Sequence, residues 1–303
     1  MILYSLIIPN RNRPELLEAL LASIPVREDT EIIIVDDNSD QAVLEKYPGR
    51  DRPDTTIIYT KEGYGAGYAR NRGLEVAQGR WLVFSDSDDR FITDAYCAAL
   101  DRYADSDADI VFLNARWIDV DTGKELRFTF RKSFAQSDPD RFERKLRYDT
   151  YAPWGKLYKR SLIVDNGLKF SEVPMGNDLL FSSMAGWYAK SILVDYTPVY
   201  EWIVRNKGNI SANVSLEAAE VKLEQERQRC DFLRKHGVKM RNSYLYFRAY
   251  PLFLSTGMTR RQAADRSVAC LPKRERLPFY LFSRIFLLKK LIYPTPVLYT
   301  ETY

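Results

Sequence analysis

The sequence predicts an α/β protein: a mostly parallel sheet flanked by helices on both faces, followed by a C-terminal helical appendage. Three observations carry this expectation. Through the first 114 residues, short apolar runs alternate with segments whose apolar positions recur at helical spacing. The runs themselves are unbroken, as in Leu6-Ile7-Ile8-Pro9 and Ile32-Ile33-Ile34-Val35, which suits strands buried on both faces. Beyond residue 212 the alternation stops and a long polar stretch with helical spacing takes over.

Element by element, Leu3 to Pro9 reads as a buried strand, and Pro14 to Ile24 as a helix with proline near its start. Glu31 to Val35 is a second strand, ended by Asp36-Asp37-Asn38-Ser39-Asp40, and Thr56 to Thr60 is a short third. Ala66 to Ala77 is a helix stopped by Gly79. Arg80 to Ser85 is a fourth strand, ended by Asp86-Ser87-Asp88-Asp89; Ile92 to Tyr103 is helical, and Asp109 to Asn114 is a fifth strand. Right-handed crossovers are expected between the parallel strands. The middle is less regular. It offers a hairpin around Asp121-Thr122-Gly123-Lys124, a charged helix from Asp138 to Arg147, and a helix or turn from Ser161 to Asn166. A helix from Asn177 to Ala189 and a strand from Ser191 to Asp195 follow, and then a long polar helix from Leu216 to Lys235. Residues 1–211 thus read as one catalytic domain, divided near residue 114, and 212–303 as the appendage.

With 303 residues, 46% of them hydrophobic and 28% charged, the chain can bury a sizeable core and is not disordered. Three scattered cysteines and a single histidine exclude a disulfide framework, a zinc knuckle and any two-histidine scheme. The N-terminal residues do not resemble a secretory signal and no run of 18 apolar residues occurs, so the expected compartment is the cytoplasm. The net charge of +4 conceals a gradient. Thr256 to Lys290 holds nine basic and two acidic residues, net +7, which leaves −3 for the rest. A chain-wide basic surface is absent, which argues against nucleic acid as a partner. A basic, aromatic tail, above all 279–293, fits peripheral contact with an anionic membrane surface, on the inner face of a plasma membrane. A helix packed on the catalytic domain, or on a second subunit in a homodimer, is the competing account of that segment.

Both acidic clusters follow strands, and ligands of open parallel sheets bind outside the carboxyl ends of the strands. Carboxylates gathered in one crevice call for a cation or a donor-rich ligand. With oxygen ligands alone, Mn²⁺ or Mg²⁺ fits and zinc does not, and Asp86-x-Asp88 meets the small carboxylate demand of magnesium. The plainer account is that these aspartates cap the next helix. Gly63-x-Gly65-x-Gly67 opens a helix and would let backbone approach phosphate, although it is neither a P-loop nor a dinucleotide fingerprint.

Taken in order, five segments resemble the family 2 glycosyltransferases of the GT-A fold: Ser5 to Asn12, Val35 to Asp40, Gly67 to Gly73, Phe84 to Asp89 and Met175 to Phe181. The fourth looks like the family's DxD element, and the fifth has Asn177-Asp178 where the family usually carries Glu-Asp. Trp154-Gly155-Lys156-Leu157-Tyr158-Lys159-Arg160 is similar to a segment of the capsule and lipopolysaccharide subgroup. The resemblance implies a nucleotide-diphospho-sugar donor, commonly a UDP-sugar, and a glycan or lipid-linked glycan acceptor. It assigns Pro9, Arg11, Asp36, Asp37, Gly67, Arg70, Asp86, Ser87 and Arg205 to the donor side. It also implies that Asp88 holds the metal and that Asp178 is the general base of an inverting transfer. Asp89, Trp154, Lys156, Asn177, Trp202 and Lys207 are expected at the acceptor side or behind the site. Two other functions are weighed. A sugar nucleotidyltransferase would need a glycine in the basic loop after the first strand, and Arg11-Asn12-Arg13 has none. A non-catalytic sugar-binding descendant would have no use for an intact Asp86-x-Asp88 and Asp178.

Overall fold

The computed structural model describes residues 1–205, 214–240, 243–273 and 276–281. The chain forms two compact units, Met1–Asn209 and Ile210–Tyr303. In chain order the first unit comprises β1 (Tyr4–Asn10), α1 (Pro14–Ala22), β2 (Thr30–Asp36), α2 (Gln41–Leu44), β3 (Thr55–Tyr59), α3 (Ala66–Val76), β4 (Trp81–Phe84), β5 (Arg90–Phe91) and α4 (Thr93–Tyr103). It continues with β6 (Ile110–Asp119), β7 (Glu125–Phe128), α5 (Lys132–Ser137), α6 (Pro139–Asp149), β8 (Lys156–Lys159), α7 (Arg160–Asp165), α8 (Leu179–Tyr188) and β9 (Ile192–Val204). The second unit contains α9 (Leu216–Lys235), α10 (Ser243–Ser255) and α11 (Arg260–Ala269).

One sheet runs through the first unit in the order β3-β2-β1-β4-β8-β6-β9-β5, with β7 paired to β6. The β1–β2, β2–β3, β1–β4 and β6–β9 pairs are parallel, and β8 runs antiparallel between β4 and β6. All seven residues of β1 are buried, because helices cover both faces. Side chains alternate across a strand. Leu6 and Ile8 therefore join Leu17 and Leu20 of α1 and Leu100 of α4 on one face. Ile7 points the other way, into a cluster with Ala69 of α3 and Phe181 and Ala185 of α8. The chain leaves β1 for β2 and β3 on one side and returns to β4 on the other. That reversal opens a crevice at the carboxyl ends of β1, β2 and β4.

The sequence pattern locates most elements to within a residue or two, and the differences have local causes. The last strand of the unit runs thirteen residues, far past Asp195. Its pairing with β6 slips on both sides of the Asn114–Pro198 pair, and Tyr196, Thr197 and Val199 are left without partners on β6. A proline lacks the ladder donor and belongs at such a bulge. Asn114 Nδ2 fills the gap by donating to the Tyr196 carbonyl at 2.9 Å. The strands β5 and β8, of two and four residues, are too short to show a period. In the second unit α9 is polar yet buries Glu226 and Arg229, which pair at 3.0 Å, with Arg248 of α10 adding a contact to Glu226 at 3.2 Å. Its start is capped by Ser215, and α11 opens with a capping box formed by Thr259 and Gln262.

Candidate active site

At the end of β2 the two neighbouring aspartates have opposite fates. Asp36 is fully buried and accepts from the Ser39 backbone N–H at 2.9 Å and the Ser39 hydroxyl at 2.5 Å. It thereby ties its own loop through Ser39. Asp37 Oδ2 accepts from the Gly65 backbone N–H at 2.7 Å, while its buried Oδ1 has no hydrogen-bond partner. Gly65 sits at φ +93° just before α3, a conformation open to glycine. Beside them, Asn10 Nδ2 donates to the Tyr47 hydroxyl at 2.8 Å, and its Oδ1 is likewise buried and unpartnered. Pro9 is buried within β1, and Arg11 is exposed near Gly63.

The end of β4 is built from charge pairs. Asp86 Oδ1 meets Arg70 Nη2 at 2.5 Å, and Arg70 Nη1 donates to Asn177 Oδ1 at 2.9 Å. Arg70 is almost wholly buried, lies over the Phe170 ring and has an unpartnered Nε. It therefore links the acidic loop to the segment before α8. Gly67 makes this approach possible, since a Cβ there would fall 2.1 Å from the Ser171 carbonyl oxygen. Asp88 Oδ2 meets Arg13 Nη1 at 2.7 Å and Arg205 Nη1 at 3.7 Å, and Arg205 Nη2 also donates to the Asp88 carbonyl at 2.8 Å. Burial, and then the neighbouring Asp86, hold the Asp88 carboxyl above the usual carboxylate range despite both arginines. Asp89 is deeper still. It accepts from the Tyr200 hydroxyl at 2.8 Å and the Ile203 N–H at 2.9 Å, and burial beside Asp86 and Asp88 pushes its carboxyl well up. It staples the acidic loop to β9. Ser87 is buried between them. None of these aspartates caps the following helix: α4 has Ile92 at its N-cap and no side-chain cap bond.

Asp178 stands at the N-cap of α8, and its side chain makes no capping bond. Lys156 is buried on β8, where its ammonium donates to the carbonyls of Thr150 at 2.5 Å and Ala152 at 2.9 Å. Desolvation drives its pKa down to about 7, against the field of Asp178, which acts to raise it. The carbonyls of Tyr151 and Tyr148 are bonded by Ser182 and Ser183 of α8. The connector carrying Trp154 is thereby fixed to the helix that starts at Asp178. Trp154 stacks on Tyr200, 5.1 Å between centroids, and at 6.5 Å on Trp202.

The predicted residues thus fall into a group around the carboxyl ends of β2 and β4 (Asp37, Gly67, Arg70, Asp86, Asp88, Arg205) and a group on β8 and the connector before it, on β9 and at the start of α8 (Lys156, Trp154, Trp202, Asn177, Asp178). Arg70 bridges the two through Asp86 and Asn177. Lys207 and most of 279–293 lie outside the described residues. Arg13, Asn10 and Tyr200 were missed by sequence reasoning. Arg13 carried a signal, a cation next to the first strand end, whereas Tyr200 lies beyond the bulge where the strand pattern breaks. Among the described residues no three His, Cys, Asp or Glu side chains gather as a metal cluster, and no helix is long and apolar enough to cross a membrane. Asp86 and Asp88 nonetheless suit a divalent cation. They offer only oxygen, and both side chains are partly exposed at the end of β4.

The glycosyl transferase family 2 sequence profile matches residues 5–166, and the chain belongs to that family. Its fold is the GT-A fold of nucleotide-sugar transferases, a mostly parallel sheet flanked by helices. Among relatives, EpsH of Bacillus subtilis, which carries a glycosyltransferase name, is 33% identical over 186 residues, 58% of this chain and 52% of EpsH. A poly(ribitol-phosphate) β-N-acetylglucosaminyltransferase, TarS of Staphylococcus aureus, is 27% identical over 229 residues, 72% of this chain and 38% of TarS. The chain spans about half the length of EpsH and less of TarS. The crystal structure of TarS residues 1–349 with UDP-GlcNAc superposes with a TM-score of 0.62 at 21% identity, covering 94% of this chain and 88% of that one. A mannosyltransferase from Pyrobaculum calidifontis, crystallised with GDP-Man and Mn²⁺, superposes with a TM-score of 0.53 at 17% identity, covering 96% and 81%. Both structural likenesses are of fold.

Proposed function

We propose that the protein is an inverting glycosyltransferase that moves a sugar from a UDP-sugar to a hydroxyl of a glycan or lipid-linked glycan. The observation that carries this reading is the buried, unpartnered Oδ1 of Asp37 at the strand-end crevice that also holds Asp86 and Asp88. A buried carboxylate oxygen without a donor costs at least ~1–3 kcal/mol, and the imide N–H of uracil supplies that donor. Guanine and thymine are the tests of this choice: guanine offers a larger base with a different donor edge, and thymine shares the imide but adds a methyl group.

Asp88 and Asp86 would hold a divalent cation, which when bound offsets charge developing on the departing diphosphate. Around it, Arg13 and Arg205 already converge on Asp88 and are placed to meet phosphate oxygens. Arg70 orients Asp86 on one side and Asn177 on the other. Asp178, not engaged in capping its helix, takes the proton from the acceptor hydroxyl as that oxygen attacks the anomeric carbon opposite the leaving group. Asn177, in place of the family's usual carboxylate, holds Arg70 as a neutral acceptor and leaves Asp178 as the base.

Isothermal titration of UDP, GDP and dTDP in the presence of Mn²⁺ tests the reading. UDP is expected to bind in preference to GDP, and Asp37→Asn to weaken UDP by about 10- to 100-fold, the worth of one charged hydrogen bond. Equal or tighter binding of GDP, or an Asp37→Asn protein that binds UDP as well as wild type, would overturn it.

A further inference from the structure

Three tryptophans and one arginine outside the strand-end cluster form a continuous line. Trp154 stacks on Tyr200 and Trp202 with interplanar angles of 12° and 20°. Trp202 meets Trp117 edge to face with centroids 3.9 Å apart. The Arg127 guanidinium lies over the Trp117 ring at 3.5 Å. The pairing of strands explains the line. Ala115 and Trp117 of β6 stand opposite Tyr200 and Trp202 of β9, two residues apart and so on one face, and Arg127 of β7 stands opposite Trp117. At its inner end the line is tied to the candidate site: the Tyr200 hydroxyl accepts from the Asp86 N–H at 3.1 Å and donates to Asp89 at 2.8 Å. All three tryptophans are partly exposed.

We infer that this line is an acceptor track, which seats a neutral glycan of at least two sugar units and leads its reacting end to Asp178. The inference rests on reading the site as one that glycosylates a glycan. Tryptophan faces suit the C–H faces of pyranose rings through dispersion and the ring quadrupole, and they bind sugars with little loss of rotamer freedom. Two of these partly exposed indoles stand on neighbouring strands, β6 and β9, and the third on the connector before β8. Charge decides the class of glycan. The β6–β7 hairpin from Arg116 to Phe128 carries three cations and three anions, net zero. Arg116 is neutralised by Glu201 at 2.5 Å, and Arg127 is committed to the Trp117 ring. A polyanionic acceptor would find no net positive surface along this track.

The test is tryptophan fluorescence and saturation-transfer NMR with neutral gluco- and N-acetylglucosamine oligosaccharides, from mono- to tetrasaccharide, with UDP and Mn²⁺ present. UDP affinity is measured on the same samples. The tetrasaccharide is expected to bind about tenfold more tightly than the monosaccharide, the worth of one or two stacked rings. Trp117→Ala should reduce that gain to less than about twofold, and Trp117→Phe should keep most of it, with UDP affinity reporting that both variants are folded. No gain with length, a gain that survives Trp117→Ala, or binding of an anionic oligomer alone that salt abolishes would each overturn the track. Loss of UDP binding by wild type, with the length dependence intact, would sink the donor reading and leave the track standing.

Discussion

The two acidic strand ends look alike in the sequence and behave differently in the structure. After β2, one carboxylate is absorbed by its own loop and the other waits with an unpartnered oxygen, and no cationic side chain pairs with either among the described residues. After β4, Asp86 and Asp88 are met by Arg70, Arg13 and Arg205, and Asp89 is buried against β9. One end is built to accept hydrogen bonds and the other to balance charge. An aspartate pair at a strand end is therefore not by itself a metal site; what decides is whether the fold brings cations or amide donors to it.

If the two ends were equivalent, neutralising either would have the same effect. We expect instead that Asp88→Asn removes Mn²⁺ stimulation of sugar transfer and lowers turnover by roughly 10³-fold, since several kcal/mol of leaving-group stabilisation are lost. Asp36→Asn is expected to leave turnover within about twofold and to lower stability by about 1 kcal/mol, because the contacts disturbed, to Ser39 and Tyr47, lie within the loop and behind it. Turnover of UDP-sugar across a Mn²⁺ titration, beside thermal melts, measures both. Equal catalytic losses would erase the distinction between the ends.

How far this was legible follows from particular residues. The strands β1, β2 and β4 announce themselves by unbroken apolar runs, and so the positions of Asp37, Asp86 and Asp88 followed from the sequence. Their orientations did not. Ser39, three residues on, is a local partner for Asp36, but the contact that sets Asp37 comes from Gly65, twenty-eight residues further on. The arginine contacts were illegible for the same reason: Arg13 and Arg205 reach Asp88 from opposite ends of the unit. Tyr200 and the Trp117–Trp202 pair depend on β9 resuming its ladder after Pro198, where the apolar period is interrupted by the bulge. Asp178 was legible only by resemblance, since the residues around it carry no strand-end signal.

A smaller effect sharpens the comparison within the β4 end itself. Asp89 neither pairs with a cation nor caps a helix; it holds the Tyr200 hydroxyl and the Ile203 N–H. Asp89→Ala is expected to cost about 2–4 kcal/mol, since it leaves a buried hydroxyl and a buried amide without acceptors. Asp89→Asn keeps an acceptor oxygen and is expected to cost less than half as much. Urea unfolding of the two variants decides this, and equal losses would mean that the charge of Asp89, rather than its two bonds, carries its contribution.

Lys156 completes the comparison, because it is a buried charge balanced by carbonyl groups and the field of Asp178. Its pKa of about 7 in the folded protein lies below the ordinary lysine value of 10.5. In the unfolded chain the amine keeps its proton up to that ordinary value, so between about pH 7 and 10.5 the unfolded state binds more protons than the folded one. Stability from this group accordingly rises with pH across that window. Below about pH 7 both states are protonated, and the folded state carries the full cost of a buried ammonium. The neutral amine still has two N–H groups for the carbonyls of Thr150 and Ala152, so those bonds survive deprotonation. Lys156→Met removes the titration along with the two bonds. The melting temperature of wild type relative to Lys156→Met is therefore expected to rise between about pH 6 and pH 9.5, by an amount corresponding to a few kcal/mol at most. A difference that stays flat, or shrinks as pH rises, would mean that the ammonium is solvated or paired in the folded protein. In that case Lys156 would belong with the compensated charges of the β4 end, held by Asp178 as Asp88 is held by Arg13.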